Sequence, residues 1–353
     1  MSDPAVSVRD LGKRFRLYHE RNQSLKSALM RRKVSEHEDF WALRNVTFDV
    51  PEGSNFALIG SNGSGKSTLL KCLAKIYWPD EGEITSRGRV ASLLEVGSGF
   101  HPELSGRENI YLNGSILGMS RKEVSKKFDE IVDFSEIGHF IDQPVKSYSS
   151  GMYVRLGFSV AIHVQPDVLV VDEILAVGDA AFQEKSRAKF DELHEQGRTV
   201  ILVSHSLSTV MQMCDQAAWI EKGELKEVGA VEDVAGAYTS SVFPLAPEFA
   251  ADFDRHWKNK LGWPASARNP IPKHGGGVVQ GFQRGALAYS AGAGVHSITE
   301  PVRSFFNAIG GIAELGWPQD SATIDDQGNV RQRFLRGTIE IPEGGVPRLI
   351  PVD

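Results

Sequence analysis

Nine consecutive residues, Gly60-Ser61-Asn62-Gly63-Ser64-Gly65-Lys66-Ser67-Thr68, carry the first recognisable chemistry of this chain. They read Gly-x4-Gly-Lys-Ser, the spacing of a phosphate-binding loop. The glycines let backbone N–H groups turn inward on one point, and an anion there also meets the positive end of the helix that follows. Lys66 is then expected to reach the β- and γ-phosphates of a nucleotide, and the Ser67 hydroxyl to ligate Mg²⁺. A second candidate is the acidic pair Asp172-Glu173. Asp172 would hold Mg²⁺, usually through water, and Glu173 would orient or deprotonate the attacking water. An isolated acidic pair mostly means a solvated turn; the phosphate loop upstream makes the catalytic reading the stronger one.

Such groups need rigid supports. Phe56-Ala57-Leu58-Ile59 predicts a buried strand running into the loop, and Leu69 to Ala74 has the apolar spacing of the helix after it. Val168 to Val171 predicts a second buried strand ending at Asp172, where parallel α/β sheets bind ligands. Val200 to Val203 predicts a third, followed by Ser204-His205. Between loop and carboxylates, Tyr148-Ser149-Ser150-Gly151-Met152 precedes an apolar helical run from Val154 to Val164, and by itself would be a helix N-cap.

At 353 residues, with 41% hydrophobic and 24% charged residues, the chain reads as globular and as two domains. No stretch approaches the ~18 apolar residues of a membrane-spanning helix, and the opening MSDPAVSVRD lacks a signal-peptide layout. Cys72 and Cys214, each in an apolar run, exclude a disulfide framework and fit a reducing cytosol. The net charge of −6 argues against a general nucleic-acid binder. Locally the picture differs: Lys13, Arg14, Arg16, Arg21, Lys26, Arg31, Arg32 and Lys33 face only Glu20 across residues 13–33.

With its motifs in this order, the chain resembles the nucleotide-binding subunits of ABC transporters. The resemblance implies an α/β P-loop ATPase domain over residues 1–242, with a RecA-like core, an antiparallel β subdomain and a helical subdomain. It implies ATP and Mg²⁺ as cofactors and a homodimer that sandwiches two ATP molecules. The family's signature has the shape Leu-Ser-Gly-Gly-Gln; Tyr148, Ser150 and Met152 depart from it, while Ser149 and Gly151, which touch the γ-phosphate in the family, are retained. His205 matches the family's switch histidine, and Ala176-Val177-Gly178-Asp179 the dimer-contact loop. Glu95 falls where the family usually has a Mg²⁺-linked Gln, and a carboxylate cannot donate the same hydrogen bond. Phe15 occupies the usual place of the adenine-stacking aromatic, with Trp41 the alternative and core packing open to both. ATPases with a long coiled coil between loop and signature are excluded, because the two motifs lie only about 80 residues apart.

Residues 93–109, the Tyr-Ser-Ser-Gly-Met signature and the stretch 173–179 resemble one branch of this family, the ATPase subunits of exporters for O-antigen, teichoic acid and other lipid-linked polysaccharides. The resemblance covers roughly residues 5–240. It implies a separate membrane-spanning permease subunit, a lipid-linked polysaccharide substrate, and a peripheral position on the cytoplasmic face of the cell membrane. The insertion 16–40 fits that branch: Leu25 and Leu29 lie four apart among basic residues, as in an interfacial helix. A solvated basic face is the alternative, and nucleic acid is not expected as a partner.

Beyond the proline-rich stretch at 243–247, the composition shifts: residues 246–353 hold 15 of the 35 glycines and balance 11 basic against 11 acidic residues. Residues 243–256 read as a linker and 257–353 as a repeat domain. Leu261-Gly262-Trp263-Pro264 recurs as Leu315-Gly316-Trp317-Pro318, and Phe282-Gln283-Arg284-Gly285 as Phe334-Leu335-Arg336-Gly337. This resembles the LGFP repeat, known chiefly from wall-associated proteins of bacteria with arabinogalactan walls, and so points to galactan as the exported polysaccharide. Glycine-turned hairpins with a short helix are expected, Trp263 and Trp317 serving as core and Tyr289 as a sugar-facing ring. An assembly scaffold without glycan recognition is the other reading of this tail.

Overall fold

A computed structural model describes residues 3–18, 37–93, 99–172, 179–204, 206–251, 253–273 and 275–351. Glu95, Glu173, His205 and the centre of the basic insertion, residues 19–36, lie outside the described residues. The chain divides into two compact units, Met1–Ala235 and Gly236–Asp353.

The first unit is built on a six-stranded sheet in the order β5 (Val90–Ser92), β6 (Val168–Asp172), β7 (Thr199–Val203), β3 (Asn55–Ile59), β8 (Gln216–Glu221), β9 (Glu224–Ala230). All neighbouring pairs are parallel except β8 with β9. The runs read as buried strands are buried throughout, as a sheet covered on both faces requires. A three-stranded antiparallel sheet, β2 (His37–Val50), β1 (Val6–Tyr18), β4 (Glu81–Ser86), packs its apolar face into the same core. The ends of the basic insertion extend its ladder, with Arg16 opposite Asp39 and Tyr18 opposite His37.

Helix α1 (Lys66–Leu73) follows β3. A helical subdomain comprises α2 (Gly106–Ile116), α3 (Arg121–Ser135) and α4 (Ser150–Ile162). Capping boxes start the first two: Ser105 with Glu108, and Ser120 with Glu123. Helix α5 (Ala180–Glu195) joins them through a ring cluster in which Phe182 meets Phe134 and Phe158 edge-on at 5.6 and 5.7 Å. Both cysteines are free and buried, and burial pushes the Cys72 thiol up to about 11 and Cys214 to about 12. They are packing residues rather than reactive thiols.

The second unit repeats a helix-and-sheet module twice. Each Leu-Gly-Trp-Pro follows a helical segment and leads into a four-stranded antiparallel sheet, β10–β13 (Asn269–Thr299) in the first copy and β14–β17 (Thr323–Pro351) in the second. Leu261 and Leu315 are buried. Gly262 and Gly316 then take φ of 73° and 74°, turning the chain off the helix end in a conformation that side chains resist. The arginines are caps: Arg284 donates to the Asn259 carbonyl at 2.8 Å, and Arg336 to that of Ala313 at 2.9 Å. Phe253 stacks on Phe282 with centroids 5.2 Å apart, and Phe306 on Phe334 at 4.8 Å.

Residues 243–256 are not a free linker. Ala246, Phe249 and Phe253 are buried in the core of the first module, and buried Gln280 donates to the Pro244 and Ser266 carbonyls. Its counterpart, buried Gln332, donates to the equivalent carbonyls of Ser297 and Asp320. Each module therefore begins before its helix. The proline-rich composition misleads because Pro247 sits in the first helical turn, where its missing N–H costs nothing.

The aromatic expectations divide. Trp317 is 3% exposed and belongs to the core joining the two modules, whereas Trp263 is half-buried with the Lys258 ammonium 4.3 Å above its ring. Tyr289 packs half-buried against the first module's core instead of standing free for a sugar. Trp317→Ala should accordingly cost about 3–5 kcal/mol of stability, and Trp263→Ala clearly less, in urea unfolding followed by circular dichroism. Equal costs would show that the two rings are equivalent after all.

Candidate functional site

The loop 60–68 joins β3 to α1, as its motif requires. Gly60 has φ 147°, and a Cβ there would collide with the Ile220 carbonyl of the neighbouring strand. At Gly65 a Cβ would lie 2.7 Å from the Ala42 carbonyl. The loop is thus clamped between β2 and β8, and side chains are excluded where the backbone turns. Lys66 is 5% exposed and donates to the Gly60 and Ser61 carbonyls at 2.8 and 2.9 Å. Burial holds its ammonium below the ordinary lysine range, opposed by the charge of Asp172. No acidic residue occupies the first turn of α1, and Gly65 provides no side-chain cap. The N–H groups of that turn therefore keep no side-chain acceptor from the cap, the condition for receiving phosphate.

Asp172 ends β6, in register with Val203 of β7 and one strand from β3. An aspartate there, with the exposed Ser67 hydroxyl at the start of α1, offers hard oxygen donors. Mg²⁺ takes few protein ligands and completes its shell with phosphate and water, so these residues fit it. Of the other expected participants, Gly63, Ser61 and Asn62 form the exposed rim of the loop and Thr68 its half-buried end.

Ser149 is the N-cap of α4, its hydroxyl accepting from the Met152 N–H at 3.2 Å, and Gly151 is exposed beside it. The departure at Tyr148 has a structural reason: its hydroxyl donates to the Phe140 carbonyl at 2.8 Å and fills the space that a side chain at Gly106 would need. Asp179 caps α5 through the Phe182 N–H and pairs with Arg155 of α4 at 2.7 Å. Arg155 also binds Glu136 at 3.0 Å and lies over the Phe182 ring. This strut from the signature helix to the loop after the carboxylates went unread in the sequence, though Arg155 is the one Lys, Arg, Asp or Glu between Val154 and Val164.

Phe15 is half-buried, edge-on to Tyr77 at 5.6 Å. Trp41 lies between the Arg14 and Arg44 guanidiniums at 5.7 and 5.8 Å, immediately before Ala42 and Leu43, which touch Gly65. Trp41 thus stands next to the residues that crowd Gly65, whereas Phe15 packs on Tyr77.

Clamped phosphate loop, strand-end carboxylate and distant signature helix together define an ATP-binding cassette. Two family models agree: "ABC transporter" matches residues 43–176, and "LGFP repeat" matches residues 261–313. The O-antigen export system ATP-binding protein RfbB of Klebsiella pneumoniae is 43% identical over 68% of this chain and 99% of its own length. The RfbB of Myxococcus xanthus is 48% identical over 70% of this chain, which spans 58% of that relative. A teichoic acids export ATP-binding protein, TagH of Listeria monocytogenes, is 40% identical over 67% of this chain and 70% of its own length. A dimeric ATP-binding cassette bound to ADP and Pi shares the fold, with TM-score 0.52 at 21% identity over 64% of this chain and 98% of its own. The chain belongs to the ATP-binding subunits of ABC transporters, with LGFP repeats following the cassette.

Two substitutions separate the parts of the site. Lys66→Ala should abolish nucleotide binding in isothermal titration. Arg155→Ala should leave nucleotide affinity unchanged, cost about 1 kcal/mol or less of stability as a partly exposed ion pair, and lower ATP turnover several-fold. Wild-type turnover in that variant would remove the strut from the catalytic cycle.

Proposed function

We propose that this chain hydrolyses ATP as one half of a two-fold dimer and so powers export of a lipid-linked polysaccharide through a separate membrane-spanning permease. The observation that carries the reading is the identity of 40–48% between its cassette and ATP-binding proteins named for O-antigen and teichoic acid export. A chain with one phosphate loop and one signature about 80 residues away holds half of each site. Lys66 and the loop N–H groups bind the phosphates, while Ser67 and Asp172 hold Mg²⁺, which neutralises charge on the phosphates when bound. Glu173 takes the proton of the attacking water, His205 contacts the transferred phosphate, and Ser149 and Gly151 close on it from the partner subunit. Glu95 lies at the usual place of the residue linking this site to the permease. The dimer docks on the cytoplasmic face of the membrane.

Galactan of an arabinogalactan wall is the polysaccharide we assign. Its support is the LGFP repeat fused to the cassette, and on this reading the repeats bind the glycan before it enters the pore. O-antigen or teichoic acid is the rival substrate favoured by the relatives' names.

Glu173→Gln should keep ATP affinity, nearly abolish hydrolysis and trap the ATP-bound dimer, read by size-exclusion chromatography with ATP and Mg²⁺. Turnover near wild type would sink the catalytic assignment. A chain ending at Ser241 should hydrolyse ATP normally, yet bind no galactofuranose oligomers and export no galactan from the assembled transporter. Full export by the shortened chain would end the glycan-binding reading.

A further inference from the structure

The two modules of the second unit share a frame but differ on one sheet face. In the first module that face carries Val279, Gly281, Ala286, Ala288, Ile298 and, opposite Ala288, His296, whose ring bonds the Ala293 carbonyl at 2.6 Å. Helix Val302–Ala308 of the second module packs against it, with Ala288, Ile298, Val302 and Phe306 in one core. The packing is incomplete. A cavity of about 300 Å³ remains, with Ile271, Val279, Ile298, Phe306 and Ile312 as apolar walls. Ser266, Asn269, Arg303 and Asn307 supply its polar atoms. Arg303 and Asn307 lie four apart on the helix, on the same face. Among the described residues Arg303 has no ion-pair partner.

The second module carries charged pairs at the equivalent positions, and their arginines face solvent, Arg333 being 70% and Arg331 56% exposed. Opposite Ser266 and Gly281 it has Asp320 and Arg333, paired at 2.6 Å, and the Asp320 carboxylate accepts the Arg333 N–H as the Ser266 hydroxyl accepts that of Gly281. Opposite Val279 and Ala288 it has Arg331 and Glu340, also ion-paired. Small and apolar residues line the crevice in one copy, and exposed ion pairs stand at those positions in the other. A pocket at a module junction, small, with apolar walls and few polar groups, has the make-up of a ligand site.

We propose that this crevice binds a glycosyl phosphate, the sugar ring lying on the apolar walls and the phosphate on the Arg303 guanidinium, with Asn307, Asn269 and Ser266 bonding ring hydroxyls. An arginine lining an apolar pocket, with no ion-pair partner among the described residues, matches a ligand with one anionic and one amphipathic part. The assignment rests on the reading of the repeats as a glycan-binding module and names where in them a saccharide sits. The same chemistry is found at the head of a lipid-linked saccharide and in a sugar nucleotide.

The test is isothermal titration of the full chain, its nucleotide site saturated with a non-hydrolysable ATP analogue and Mg²⁺. The probes are galactose 1-phosphate, galactose, inorganic phosphate, UDP-galactose and a short-chain prenyl pyrophosphate galactoside. Galactose 1-phosphate should bind more tightly than galactose or phosphate. Arg303→Gln should weaken it about tenfold or more, and Ser266→Asp with Gly281→Arg, which places the second module's charged pair inside the crevice, should abolish it. ATP turnover should stay at the wild-type level in both variants, and a near-ultraviolet circular dichroism spectrum and urea midpoint like those of the wild-type chain report that the second unit is folded. The stronger of the two larger probes identifies the source. Phosphate binding as tightly as the sugar ester overturns the proposal, as does the absence of any binding. Unaltered binding in both variants places the saccharide elsewhere and removes the crevice alone, leaving the glycan-binding reading intact. Loss of galactofuranose-oligomer binding by the wild-type chain removes that reading itself.

Discussion

A buried ammonium is the constraint around which the first unit is arranged. Lys66 is nearly sealed from solvent, held by carbonyls of its own loop and within the field of Asp172. Desolvating a charge is costly unless something opposite in sign compensates it. The loop's turned N–H groups and the first turn of α1 add to the positive potential. The polypeptide alone leaves that potential incompletely answered, and a phosphate chain answers it. The clamps on Gly60 and Gly65 keep the loop from relaxing away from this arrangement, which is why strands β2 and β8 belong to the site although neither contributes a side chain to phosphate binding.

A second constraint is the tie between the signature helix α4 and α5. Asp179 makes it by facing two ways, capping α5 and pairing with Arg155 of α4. Its carboxyl is held below the usual aspartate range by the Phe182 N–H and by Arg155, so the pair keeps its charge through ordinary physiological pH. The pair is exposed and weak as an isolated contact. Its position matters more than its strength, because Arg155 also engages Glu136 and the Phe182 ring and so ties three helices at one point.

The phosphate loop was legible because phosphate binding by backbone dictates residue type directly: no other residue survives at Gly60, and no neutral one replaces Lys66. The Leu-Gly-Trp-Pro repeat was legible for a similar reason, since its glycine sits at positive φ in both copies. The helix preceding that repeat was not. Phe253 and Phe306 lie 53 residues apart, Leu261 and Leu315 54, Gln280 and Gln332 52. Loop lengths drift between landmarks, and only the shared packing and carbonyl bonds reveal that residues 244–256 repeat what precedes Leu315. Arg155 was hidden because a single charge in an apolar run gives no hint of its partners, which arrive from 19 and 24 residues away. The role of Tyr148 was hidden likewise, its departure from the family signature being explained by a hydroxyl bond to Phe140.

The repeats also show how a stack of identical modules acquires a direction. Successive strand residues face opposite sides of a sheet, so each module offers one face to its own helix and the other to whatever comes next. In the first module the outer face is apolar apart from His296, and the second module's helix packs on it. In the second, Arg331 and Arg348 flank Glu340 at the corresponding positions. Hydrogen bonds from Arg348 and Arg331 hold the buried Glu340 carboxyl below its usual range, and another apolar helix laid on that face would have to desolvate both exposed guanidiniums. The same alternation that buries Val330, Phe334, Ile339 and Ile341 inward thus delivers the ion pairs outward. A single substitution pattern on alternate residues closes the stack on one side and leaves, at the junction behind it, an interface where small residues meet an arginine that has no ion-pair partner among the described residues.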